Sequence, residues 1–102
     1  MNTANLQLEG LYLAIAALNN ALVAKGVLDR DEIDQALRLA EQTAVGDERA
    51  TEELSPAHRD AVAFPARLLM LANRMASEGE IAGFSELARM VGTSKTPYND
   101  QR

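Results

Sequence analysis

The chain has 102 residues, a formal net charge of −5 and no cysteine, and 47% of it is apolar. That length holds one domain with one modest core and is too short for two. Without cysteine there can be no disulfide, thiolate nucleophile or thiolate metal site. The aromatic residues are Tyr12, Phe64, Phe84 and Tyr98, and Ala, Leu, Val, Ile and Met make up the rest of the apolar set. Strands prefer β-branched and aromatic side chains, so this composition predicts an all-α fold.

The first predicted helix runs from about Ala4 to Lys25. Ala4, Leu8, Leu11, Ile15, Leu18 and Leu22 are spaced 4, 3, 4, 3, 4, one seam at coiled-coil spacing. A second line, Leu6, Leu13, Ala17, Ala21 and Ala24, lies off that seam. A helix apolar around so much of its circumference must be covered on several sides. In a short chain that predicts a central bundle position or a contact with another subunit. The stretch Gly10 to Ala24 carries no charge, but Asn19 and Asn20 interrupt it. It falls short of the roughly 20 apolar residues of a membrane span. No basic residue precedes Lys25, which argues against an export signal. The expectation is a cytoplasmic protein with no membrane contact.

Gly26 supplies the positive φ of a helix stop. The residues that follow, VLDRDEID, predict the start of the second helix. Asp29 is the N-cap, Glu32 completes an acidic form of the capping box, and Leu28 with Ile33 forms the staple. Asp31 and Glu32 also favour the positive end of the helix dipole. The second helix should bury Ile33, Ala36, Leu37, Ala40 and Ala44. With so short a turn between them, the first two helices should form an antiparallel hairpin.

Residues 45–55 are polar and acidic and are expected to form a connector. Ser55-Pro56 should open the third helix, with Ser as cap and Pro at the first position. Ala61, Pro65, Leu68, Ala72 and Met75 keep one spacing across the proline. That predicts one kinked helix over 56–78, with two shorter helices as the alternative. Gly79 should end it. A short fourth helix is expected from Ser85 to Val91, presenting Leu87, Met90 and Val91. Residues 1–92 then form a single helical domain, a small bundle of about four helices. Residues 93–102 form a polar, loosely ordered tail.

Phe84 to Arg102 resembles the helix-turn-helix family locally. Ala88 occupies the small position where two helices touch, Leu87 and Val91 flank it, and Gly92 stands at the turn. The resemblance implies a second helix that enters the major groove, with Lys95 and Arg102 as the DNA contacts. Thr93 stands where that family has an apolar residue, Pro97 lies inside the implied second helix, and Gln101 replaces a core position. Charge also speaks against a broad nucleic-acid footprint. Residues 29–60 hold ten acids and four bases, whereas phosphate binding needs clustered Lys and Arg.

Asp29, Asp31, Glu32 and Asp34 do not form a calcium loop. Ile33, Asp34 and Ala40 stand at its fifth, sixth and twelfth positions, where a ligand, a Gly and a Glu are required. His58 is the sole histidine and cannot build a multi-histidine metal site. Asp60 or Glu53 could pair with it in general-base chemistry, but its place in the first turn of a polar stretch predicts a solvated side chain. No set of catalytic groups converges in the sequence, and no cofactor or metal is expected. The leading expectation is a non-catalytic interaction module. It would pair with itself, or with another helical protein, through Leu8, Leu11, Ile15, Leu18 and Leu22. A DNA-binding regulator using residues 84–102 is the alternative.

Overall fold

The computed structural model describes residues 3–51 and 56–94. They form four helices: α1 (Thr3–Ala24), α2 (Arg30–Thr51), α3 (Pro56–Met75) and α4 (Phe84–Ser94). No strand occurs among the described residues; an isolated bridge joins Ser77 and Glu80 around the turn after α3. The all-α small bundle expected from composition is the observed fold.

The hairpin turn forms as its residues dictate. Gly26 has φ of 76°. Its N–H donates to the Val23 carbonyl at 3.0 Å, and the Val27 N–H reaches back to Leu22 at 3.0 Å. This pair of bonds is a Schellman stop. The capping box is reciprocal: the Glu32 N–H donates to Asp29 Oδ1 and the Asp29 N–H to Glu32 Oε1, both at 2.8 Å. Two donors that the helix would leave unpaired are satisfied at once.

Side-chain contacts fix the directions of the helices. Tyr12 meets Phe64, and Asn20 reaches the Ser77 carbonyl just beyond α3, so α1 runs with α3. Arg30 reaches Asn73 and Glu41 reaches Arg67, so α2 runs against α3. The first two helices are therefore antiparallel, as the short turn predicts. They touch each other little, however; α2 gives its length to α3.

The central position belongs to α3, which packs against each of the other three helices. It supplies buried Ala63, Ala66, Leu68, Leu69, Met70, Ala72 and Asn73. With Ala16, Leu87 and Val91 these side chains form the core, and Leu68 and Leu87 are fully buried. α1 is peripheral, and Ala16 is its one buried residue among those described. The expectation of a central α1 is overturned. α3 takes that place because its small residues Ala63, Ala66 and Ala72 let its neighbours approach closely. Pro65 lies inside a single α3, which excludes the two-helix alternative.

Other boundaries also move. α2 runs through the expected connector to Thr51, because nothing in VGDERAT except Gly46 opposes a helix. Residues 52–55, with the proposed Ser55 cap, lie outside the described residues. In α2, Ile33 is buried and Leu37 and Ala44 are half-buried, but Ala36 and Ala40 are exposed. In α3 the expected seam is buried at Leu68 and Ala72, while Ala61 and Met75 are exposed. α3 ends at Met75, not at residue 78, and Gly79 (φ 79°) turns the chain beyond it. α4 starts at Phe84 and continues through Gly92 to Ser94. Gly92 is a helical residue and not a turn.

One polar cluster holds three helices together. The Arg30 guanidinium donates to the Asn73 carbonyl (2.8 Å), to Asn73 Oδ1 (3.1 Å) and to Asn20 Oδ1 (2.9 Å). Asn73 Nδ2 donates in turn to the Arg30 carbonyl (3.0 Å), and Asn73 is only 4% exposed. Asn73→Ala would remove the Oδ1 acceptor from the Arg30 guanidinium and the Nδ2 donor from the Arg30 carbonyl at a buried site, so a loss of about 2 kcal/mol is expected in urea unfolding. Gly92→Ala should stabilise by about 0.5 kcal/mol in the same assay, because the helix is continuous there and an added Cβ meets nothing within 4 Å. A drop in stability would restore a turn at Gly92.

Candidate functional site

The outward side of α1 is where the fold and the sequence disagree most. The packed side runs through Tyr12, Ala16, Asn20 and Val23. The coiled-coil seam precedes it by one residue, at Leu11, Ile15 and Leu22. One residue of helix is about 100° of rotation, so the seam is turned aside from the core, with Leu8 and Ile15 on its edge toward the bundle. Leu8, Leu11, Leu18 and Leu22 are 47%, 54%, 65% and 36% exposed. Ile15 is half-buried against the core, at the edge of the seam. Ala14 and Ala21 are exposed beside the leucines, as are the polar Thr3 and Gln7. Of the second line, Leu6, Ala17, Ala21 and Ala24 are exposed and Leu13 is half-buried.

The side of α1 toward the bundle is the more polar one. Asn20 Nδ2 donates to the Ser77 carbonyl at 3.0 Å, which ties α1 to the turn after α3. Tyr12 stacks on Phe84 with ring centroids 5.8 Å apart and planes 5° from parallel. Phe64 stands edge-on to both, at 5.9 and 6.4 Å. Burial pushes the Tyr12 hydroxyl pKa up. The three rings wall a groove of about 300 Å³, also lined by Asn5, Leu8 and Glu9. Nothing in the sequence joins these aromatics, since they come from three helices.

A second, more open groove of about 420 Å³ lies between the far end of α2 and the start of α3. Arg59 and Arg67 line it together with Glu41. Arg67 is committed: it donates to Glu41 Oε2 at 2.8 Å and to Asp60 Oδ1 at 3.2 Å. Burial works against its charge, but these two carboxylates outweigh that and raise its pKa.

Asp29, Asp31, Glu32 and Asp34 are all explained locally. Asp29 and Glu32 cap α2, Asp31 lies in its first turn, and Asp34 pairs with Arg38 and Arg74. Among the described residues no three metal-ligating side chains converge. His58 is exposed in the first turn of α3 and lines neither groove. Lys95 and Arg102 lie outside the described residues. Because α4 passes through Gly92, the turn that a helix-turn-helix requires there is absent. By length and composition α1 could also cross a membrane, with mean hydropathy of 1.3 over an 18-residue window. No family model, curated protein or solved structure matches this chain at a significant level.

Proposed function

We propose that the protein is a non-catalytic interaction module that pairs with a second copy of itself through the outer face of α1. One observation carries this reading: four leucines at coiled-coil spacing stand on the solvent side of a helix whose other side is anchored. Together they leave the equivalent of about two whole leucine side chains in water. Covering them on both copies is worth roughly 6 to 12 kcal/mol at ~1.5–3 kcal/mol per side chain. Association costs about 4 to 15 kcal/mol, so the gain is of the size that a weak to moderate dimer requires.

A second copy suits the surface better than an unrelated helix. A two-fold interface needs only one self-complementary patch, and a leucine seam is such a patch. The charge pattern permits it as well. The chain is acidic overall, but Glu9 is the one charged side chain within Thr3–Ala24, and it lines the aromatic groove. Two acidic chains can thus meet on an uncharged strip. A bilayer is a poorer occupant. Spanning one would break the Asn20 bonds and expose that side of α1 to hydrocarbon, and an acidic protein gains nothing from an anionic lipid surface.

Sedimentation equilibrium tests the proposal. The mass should rise with concentration toward twice 11.0 kDa. Leu11→Gln together with Leu18→Gln should return it to the monomer, weakening association at least about 100-fold, with helicity unchanged. Both positions are more than half exposed, so the fold tolerates the change; Ile15 is left alone because it touches the core. A wild-type mass of one chain up to hundreds of micromolar, or transfer of the protein to lipid vesicles through the same leucines, would overturn the dimer.

A further inference from the structure

We propose that the groove at the head of α1 is a binding site for a small organic cation, an ammonium group carried on an apolar or aromatic body. This inference does not depend on self-association.

The groove is built from three elements. α1 gives Asn5, Leu8, Glu9 and Tyr12, α3 gives Phe64, and α4 gives Phe84. Glu9 precedes Tyr12 by three residues, which puts the carboxylate on the aromatic side of the helix, one turn earlier. Tyr12 and Phe84 stack, and Phe64 closes the angle between them. The rings form one continuous wall, and each is half-buried, so part of each ring remains open to the groove.

Glu9 selects the kind of ligand. It is half-buried, and its carboxylate has no ion pair or side-chain hydrogen bond among the described residues. Asp34, Glu41 and Asp60 each hold an arginine. A carboxylate beside aromatic rings repels an anionic ligand, and a neutral apolar ligand would cover it without a partner. A cation satisfies both parts of the wall at once. It pairs with Glu9, and the negative faces of the rings attract it. A volume of about 300 Å³ lies at the small end of ligand sites, which suits one ammonium group and one ring or short alkyl chain. The negative net charge of the chain favours the approach of such ligands.

The test is a titration with 2-phenylethylammonium, with 2-phenylethanol as its neutral counterpart, followed through the ring-proton NMR signals of Tyr12, Phe64 and Phe84. The cation should give saturable shifts with a Kd of about 1 mM or tighter. The alcohol should bind at least about tenfold more weakly. Glu9→Gln should reduce binding of the cation by at least about tenfold, to the level of the alcohol, with circular dichroism and sedimenting mass unchanged. Equal binding of cation and alcohol to the wild-type chain overturns the proposal, as do shifts that never saturate or a Glu9→Gln chain that binds as before. The alcohol comparison needs no variant, so it holds even if the substitution disturbs the fold. A chain that sediments as a monomer yet passes this test would sink the dimer alone.

Discussion

α1 is apolar on more sides than one bundle can cover, and the rest of the molecule is arranged around that fact. A soluble helix ordinarily offers one apolar stripe and a polar back. Here two stripes compete for the same neighbours, and α3 with α4 can receive only one. The stripe they receive contains Tyr12, Ala16, Asn20 and Val23. The leucine stripe is left at the surface. Each functional suggestion made above follows from this choice: the leucines form a strip for a second chain, and Glu9 and Tyr12 turn toward the groove.

The other half of the fold has no such conflict. α2 is charged along its outer face, and its packing against α3 is stitched by two ion pairs: Arg74 with Asp34 near the turn, and Arg67 with Glu41 at mid-helix. The exposed pair contributes little by itself, since solvent screens it. Arg67 is less exposed and holds two carboxylates from two helices, which makes it a register pin more than a source of net stability. The α2–α3 pair is thus a scaffold, and α1 and α4 add to the remaining sides of α3.

Local signals in the sequence were legible where a few adjacent residues settle the matter. Asp29 and Glu32 cap α2, and Gly26 stops α1, because the geometry of a helix end depends on four or five residues in a row. Helix count, direction and the integrity of α3 across Pro65 were legible for the same reason, with apolar spacing as the guide. Legibility failed at the choice of the packed face of α1, because apolar spacing marks the leucine seam equally as bundle core or as subunit contact. What decided it was Asn20 finding Ser77 and Arg30, and Tyr12 finding Phe84, contacts between residues distant in sequence. Gly92 misled in a similar way. A glycine after a short helix looks like a stop, yet a stop needs a positive φ, and here the following Thr93 stays helical, its hydroxyl donating to the Met90 carbonyl at 3.1 Å.

The orientation of α1 can be weighed in energy. Turning the helix by one residue would move the leucines inward and cover the equivalent of about two side chains, worth roughly 3 to 6 kcal/mol. The same turn would pull Asn20 away from Arg30 and the Ser77 carbonyl and leave a guanidinium with one partner fewer at a partly buried site. Bonds to a charged group are worth about 1.5 to 3 kcal/mol each, and an abandoned buried donor costs a further desolvation penalty. The stack of Tyr12 on Phe84 would go as well, at about 0.5 to 1.5 kcal/mol beyond its area. The two orientations are therefore close for a single chain, and the polar contacts tip the balance because leucine packing is non-directional while the Asn20–Arg30–Asn73 cluster fits in one register only. On the proposed reading, a second copy would remove the compromise: it would cover the leucines from outside while the asparagines stay inside.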